Sequence, residues 1–385
     1  MANGNFKIKP MNIETGGILI AVLNQSDARK HDFRSGDRIL IKKGKKEITA
    51  VLDVTSLPRT LANGKLGLFQ EVIEHLKAKK NDEVTIHFAG KPESLVYIKQ
   101  KLHGKVLNQK ELHSIVDDIT NDRLTDIEKT AFVMGGYMNG FNKQETVYLT
   151  KSMVETGETL SFKGTVLDKH CIGGVPNNRT SMIVAPIVAA AGLIMPKTSS
   201  RAITSPAGTA DTMECLAKVE LSKKKIEKVI QKFGVCLVHG GSMKLAPADD
   251  KIIEIERPLS IDAEGQLLAS VMAKKHSVGA KVVLIDIPIG PSTKSKNRSE
   301  ANKLKKKFVQ LGKALGMKVK VILTDGSEPI GNGVGPLLEA RDVLAILQHT
   351  DAAPKDLREK SLMMAGILLE LSGKVKKGKG YHRAK

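Results

Sequence analysis

Two stretches of the chain concentrate residues suited to holding an oxyanion. The first, residues 168–180, reads Asp-Lys-His-Cys-Ile-Gly-Gly-Val-Pro-Asn-Asn-Arg-Thr and leads into an apolar helix expected over 182–193. The paired glycines, Gly173 and Gly174, let the backbone approach an anion closely, and a helix start adds unsatisfied amides and partial positive charge. Lys169 brings a full charge and Thr180 a hydroxyl. The Gly-Lys-Ser/Thr ending of a Walker A loop is missing, and no third glycine stands at the spacing of the dinucleotide fingerprint. By itself a Gly-Gly turn before a helix is more often a structural turn. Lys169, Arg179 and Thr180 around it favour phosphate binding.

The second stretch, residues 197–212, packs seven hydroxyls, an Arg and a Lys into sixteen residues, with small residues between them. A Ser/Thr-rich surface loop is the ordinary alternative, but such loops seldom carry so little Asp, Asn or Glu. Arg201 has the fork geometry to hold a phosphate bidentately.

The surrounding elements must place these stretches. Residues 1–88 have strand composition at 17–22 and 47–52 and a weak internal repeat. The turn from His31 to Asp37 before Arg-Ile-Leu-Ile echoes the turn from His75 to Asp82 before Glu-Val-Thr-Ile, which predicts a small pseudo-symmetric β-barrel. Residues 89–157, with parts of 246–280, read as a small helical domain. Three segments open on the same capping signature, Asn108…Glu111, Thr125…Glu128 and Asn142…Glu145, and Gly157 is a plausible stop. Residues 158–245 and 281–385 alternate strands (282–287, 319–324) with helices (222–233, 301–315, 336–348). This predicts an α/β domain on a mixed, mostly parallel sheet. The lysine-rich segment 374–385 shows no further strand, so the sheet is expected to be incomplete on its C-terminal side.

Composition narrows the function classes. Hydrophobic residues at 41% and charged residues at 26% fit globular protein rather than disorder. No apolar run is long enough for a membrane span, and the start has no signal-peptide core. Cys171, Cys215 and Cys236 show neither metal-ligand nor redox spacing, which points to reduced thiols in the cytoplasm. The formal net charge is +20, yet aromatics are only 3% with no Trp, so stacking platforms for nucleic acid are scarce. Solvated lysine-rich helix faces, with a field that draws in small phosphorylated substrates, are the favoured reading.

Taken together, the two stretches resemble the thymidine phosphorylase family of pyrimidine-nucleoside phosphorylases, and within it the AMP phosphorylases. Lys-His-x-Ile-Gly-Gly-Val-Pro at 169–176 and Ser-Ser-Arg-Ala-Ile-Thr-Ser-x-Ala-Gly-Thr at 199–209 carry the likeness. Residues 245–250, 259–262, 268–275 and 285–290 extend it along essentially the whole chain. The resemblance implies a soluble glycosyltransferase of nucleotide metabolism, a homodimer or larger homo-oligomer, with AMP and inorganic phosphate as substrates and no metal or organic cofactor. The products would be adenine and ribose 1,5-bisphosphate; CMP and UMP are further substrates to weigh.

Carried over residue by residue, the resemblance assigns Lys169, Ser199 and Thr209 to the inorganic phosphate, with Thr180 in support. Gly174, Ser200, Arg201, Ala202, Ile203, Thr204, Ser205, Thr209, Ser270 and Lys294 would bind AMP. Asp262 would be the proton donor, and Lys274 a second-tier contact to the base. Adenine leaves poorly as an anion, so an acid is needed, and an Asp serves near neutral pH only if burial raises its pKa. Asp262 stands among Leu259, Ile261 and Leu267, which permits such burial; a lone Asp there is otherwise usually a helix cap. Two departures stand out. Cys171 occupies a position where relatives often carry a phosphate-binding Ser, and Asn177 one that is often Gly. Relatives also continue into another C-terminal domain, which is expected to be missing here after Lys385. The competing readings are a pyrimidine nucleoside phosphorylase and a non-catalytic nucleotide- or RNA-binding subunit.

Overall fold

The computed structural model describes residues 4–16, 19–202 and 207–385, apart from the side chain of Ser242. It divides into two compact units, Met1–Glu93 and Ser94–Lys385.

The first unit is a closed barrel. Its strands are β1 (Gly4–Pro10), β2 (Ile20–Asn24), β3 (Arg38–Lys43), β4 (Lys46–Thr55), β5 (Lys65–Leu68) and β6 (Glu83–Phe88), in the order β1-β5-β2-β4-β3-β6. Helices α1 (Gln25–Lys30) and α2 (Gln70–Leu76) complete it. On β4 the side chains of Ile48, Ala50 and Leu52 point inward in strict alternation. They meet Ile8, Ile39, Ile41, Leu66, Leu68 and Ile86 in one core. Closure leaves no strand edge to be paired.

The repeat seen in the sequence is a repeat of bonds. Asp37 accepts from the Arg34 amide at 2.6 Å, and Asp82 accepts from the Lys79 amide at 2.8 Å. Gly36 donates to the Leu52 carbonyl at 2.8 Å, as Asn81 does to that of Ile8 at 2.9 Å. Each turn delivers a strand, β3 or β6, and the two strands pair antiparallel.

In the second unit the helices come first: α3 (Ser94–Leu102), α4 (Gln109–Thr120), α5 (Asp126–Asn139) and α6 (Lys143–Glu155). All three expected capping boxes form, at Asn108, Thr125 and Asn142, each worth about 1 kcal/mol. Glu145 does double duty. It caps α6 and also pairs with the buried Lys101 at 2.7 Å.

The α/β part follows with β7 (Leu167–Cys171), α7 (Thr180–Ala190), β8 (Met195–Ser199), α8 (Thr209–Glu214), α9 (Lys223–Phe233) and β9 (Val235–His239). After α10 (Pro247–Leu259) and α11 (Glu264–Ser277) come β10 (Val282–Ile289), α12 (Arg298–Ala314), β11 (Lys318–Asp325), α13 (Pro336–Leu347), α14 (Lys355–Leu371) and α15 (Gly380–Ala384). Strands β11-β10-β7 and β8-β9 pair in parallel, and a bridge between Val166 and Ile194 joins the two groups. Among the described residues every pair of this sheet is parallel. On β10, Val283, Ile285 and Ile287 pack toward α12, while Val282 and Leu284 pack toward α7 and α14. Both faces are therefore covered, as a parallel sheet requires.

The first oxyanion-suited stretch opens on a strand, with Asp168, Lys169, His170 and Cys171 on β7. The stretch 246–280 forms two helices. Its Ala248, Ile252, Ala269 and Ala273 join the core built by Leu112, Ile115, Phe132 and Leu149. The lysine-rich C-terminal segment carries no strand but ends in the short helix α15.

Candidate active site

Lys169 is the middle residue of β7, paired in register with Leu284 of β10. It is 1% exposed, and its ammonium donates to the Thr180 hydroxyl at the start of α7. Burial lowers its pKa from the ordinary lysine value, with Lys360 and Arg179 adding to the fall and Cys171 and Asp286 opposing it. Arg179, just before α7, lies between two acceptor sets. Its Nε donates to the buried Glu339 at 2.5 Å, its Nη1 to the Thr209 hydroxyl at 3.0 Å, and its Nη2 to the Ala207 carbonyl. Thr212 shares Glu339 at 3.0 Å. Lys169 thus bonds Thr180, and the adjoining Arg179 bonds Thr209. Ser199 ends β8 with its hydroxyl donating to the Ser200 carbonyl at 3.2 Å.

The glycine pair serves packing as well as approach. Gly173 and Gly174 have φ of +99° and +95°. A Cβ on Gly174 would stand 2.6 Å from the Thr293 Cα and 2.8 Å from the Ser292 carbonyl oxygen. The loop of the first stretch therefore touches the segment that carries Lys294. Asn177 takes the left-handed conformation at φ +55°, consistent with a position where relatives often have Gly, and bonds Asp342 at 2.7 Å. Asn178 donates to the Cys171 sulfur at 2.9 Å. Burial, reinforced by Asp286, pushes the Cys171 thiol up to about 11, so it stays protonated and a weak donor.

On the other side, Lys294 pairs with Asp262, and Ser270 donates to Asp249 at 2.8 Å. Lys274, one turn along α11 from Ser270, contacts Asp249 at 2.7 Å and Asp250 at 3.2 Å. His170 follows Lys169 on β7. Burial drives its pKa well below the ordinary value, helped by Lys275, Lys197, Lys169 and Lys274. Behind it, Asp168 is buried between Lys275 at 3.0 Å and Lys197 at 3.5 Å, and burial brings Lys197 down to about 7.

Several sequence expectations need correction. Asp262 is not enclosed by its apolar neighbours: its side chain is 40% exposed and Leu259 is 46% exposed, because the segment is a connection between two helices. Nor is it a helix cap. Ala263 holds that position for α11, with no side-chain cap bond. At Lys274 burial alone would lower the pKa, but Asp249 and Asp250 outweigh it and hold the value above that of an ordinary lysine. Arg201 is not left open to a phosphate. It meets Glu214 at 2.5 Å, Glu220 at 3.3 Å and Asp211 at 3.3 Å. Ala202 bonds Asp211 through its amide at 2.8 Å. Ile203, Thr204 and Ser205 lie outside the described residues.

The sequence profile of the glycosyl transferase family α/β domain matches residues 163–384, and that of the family's helical bundle domain matches residues 96–157. The chain belongs to this glycosyl transferase family. It is 45% identical over 365 residues to an AMP phosphorylase of Methanococcus vannielii, covering 94% of this chain and 72% of that protein. An AMP phosphorylase of Methanococcus aeolicus is 44% identical over 375 residues, covering 97% and 73%. A Legionella pneumophila (strain Paris) protein provisionally named a thymidine phosphorylase is 46% identical over 349 residues, covering 90% and 67%. Among solved structures, anthranilate phosphoribosyltransferase from Thermus thermophilus matches with a TM-score of 0.63 at 17% identity, over 74% of this chain and 92% of that one. That likeness is one of fold. No helix among the described residues is long and apolar enough to cross a membrane.

For a member of this family the sequence reading left out several polar groups. Glu339 on α13 neutralises Arg179 from 160 residues away. Asp286 on β10 is fully buried, accepts from Thr324 at 2.6 Å and lies 3.4 Å from Lys360 of α14. Its signal was available: a lone carboxylate in an otherwise apolar strand must be paired. Glu256 on α10 carries a buried oxygen with no hydrogen-bond partner. Burial pushes its pKa up to about 7, with Asp262 and Asp249 adding to the rise and Lys294 opposing it. No motif marks this residue.

Proposed function

We propose that the chain is an AMP phosphorylase, in which inorganic phosphate displaces adenine from C1′ of AMP. A phosphate oxygen forms the new bond to C1′ as the bond to the base nitrogen breaks. The electron pair goes to the adenine ring, which takes a proton from an acid, and ribose 1,5-bisphosphate and adenine leave. Lys169, Thr180, Ser199 and Thr209 are the residues we assign to the attacking phosphate. Gly174, Ser200, Ala202 to Ser205, Thr209, Ser270 and Lys294 are assigned to the nucleotide and Asp262 to the proton, while Arg201 is held by its three carboxylates. Lys294 and Asp262 form an exposed pair; when Lys294 turns to the substrate, Asp262, freed of its cation, takes up a proton from solvent and passes it to the leaving base.

The observation that carries this reading is Lys169, an almost fully buried lysine on β7 that donates to a neutral hydroxyl at the start of α7. A cation in that setting gains most from an anion. The relatives named AMP phosphorylase, each matched over more than nine-tenths of this chain, support AMP as the nucleotide. A cytoplasmic location and a homodimer or larger homo-oligomer belong to the same proposal.

The test is discrimination at the 5′-position. A site built to bond an anion loses buried hydrogen bonds when the anion is missing, so kcat/KM for AMP is expected to exceed that for adenosine by at least ~10². Equal values for the two substrates would favour the nucleoside phosphorylase reading, which the Legionella relative's name also raises.

A further inference from the structure

One carboxylate draws together the two ends of residues 202–208. Asp211, in the first turn of α8, accepts from the Ala202 amide and from the Gly208 amide, 2.8 Å each and both on Oδ2. Its Oδ1 lies 3.3 Å from Nη1 of Arg201. The bond to Gly208 is an ordinary capping box. The bond to Ala202 is not, because it reaches back nine residues across a chain crossing. The crossing is tight. A Cβ on Gly208 would stand 2.5 Å from the Arg201 carbonyl carbon and 2.6 Å from the Ser200 oxygen, both backbone atoms. Ala210 donates across it to the Ser200 carbonyl at 3.4 Å. From the far side Arg179 holds the Ala207 carbonyl and the Thr209 hydroxyl.

From this juxtaposition we propose that Asp211 is a positioning residue for recognition of the substrate's 5′-phosphate. It acts through Ala202 and Gly208 and does not touch the nucleotide. The inference rests on the reading above, in which Ser200 and its neighbours take that phosphate. Two features suit Asp211 to the task. A carboxylate close to a bound dianion is tolerable only when its charge is spent, and here two amides and the Arg201 guanidinium spend it. Burial alone would raise the Asp211 pKa, but those same bonds outweigh it and hold it below the usual carboxylate range. Fixing Ala202 and Gly208 in advance also lowers the ordering cost that binding must meet. Arg201, held by Glu214 and Glu220 as well, then acts as a strut for the crossing.

The experiment compares Asp211→Asn and Asp211→Ala with wild type, using AMP and adenosine as paired probes in turnover and in calorimetric binding. The AMP-to-adenosine ratio of kcat/KM is expected to fall at least tenfold in both variants. Most of the change should sit in KM for AMP, with a matching rise in its Kd. Equal fractional losses for the two probes, or an unchanged ratio with a lowered Tm, would reduce Asp211 to a helix cap and overturn the inference. If Asp211→Ala does not fold, Asp211→Asn, which keeps the size and one acceptor, decides. A wild-type protein without preference for AMP sinks the 5′-phosphate reading and this inference with it. A wild-type preference that survives in both variants sinks this inference alone.

Discussion

The two halves of the candidate site are built on different electrostatic terms. Around Lys169 the ion pairs are buried: Arg179 is 7% exposed against a Glu339 that is fully buried, and Asp168 is closed in by two lysines. Around Asp262, the ion pair with Lys294 is 40% and 34% exposed. An exposed pair is worth about 1 kcal/mol or less, whereas stripping one partner from a buried pair costs about 3–5 kcal/mol. The first half is therefore fixed before any substrate arrives, and the second can exchange partners at little cost. That division suits the chemistry. The weak nucleophile needs a preorganised cationic seat, while the acid must first be released, take up a proton and then give it to the base.

The sharpest way to break the comparison is at the exchangeable half. Asp262→Asn keeps size and polarity but supplies no proton, so kcat with AMP should fall by roughly 10²–10⁴ while the affinity for AMP changes little. A variant that turns over near the wild-type rate would move the acid elsewhere. Next in size is Lys169→Met, at the fixed half. Loss of a preorganised charge there should cost about 10²–10³ in kcat/KM for phosphate. The Tm should hold or rise, because the substitution removes a buried ammonium and keeps the chain length. A fall in Tm with phosphate kinetics intact would make Lys169 a structural residue.

The smallest effect concerns Glu256, which stands beside the exchangeable half. Its pKa rises in the folded chain from an ordinary 4.5 to about 7. A group whose folded pKa is raised adds stability below its unfolded pKa, and that contribution is lost as pH climbs through the folded one. Between about pH 4.5 and 7 the wild type should therefore lose stability relative to Glu256→Gln, with no further divergence above that window. Parallel Tm curves across the window would mean that Glu256 titrates as an ordinary carboxylate.

The sequence was most legible where structure and chemistry run along consecutive residues. The three capping boxes and the Asp37 and Asp82 turns each keep their meaning within about a dozen positions. Legibility failed where a partner comes from afar or where local composition misleads. Nothing near Arg179 announces Glu339, and the hydroxyl-rich stretch around Arg201 hides the acids that occupy its guanidinium. Asp262 shows the second failure. Apolar neighbours in sequence imply burial only inside a regular element, and this residue stands between α10 and α11, where Leu259 itself faces solvent.

The central claim is that this chain spends phosphate to release the base of AMP. The direct measurement is free adenine released from AMP by the purified protein, with inorganic phosphate and in phosphate-free buffer. The account predicts adenine release only with phosphate, matched mole for mole by ribose 1,5-bisphosphate. Equal release in phosphate-free buffer would make the protein a hydrolase and contradict the account, as would no release under either condition.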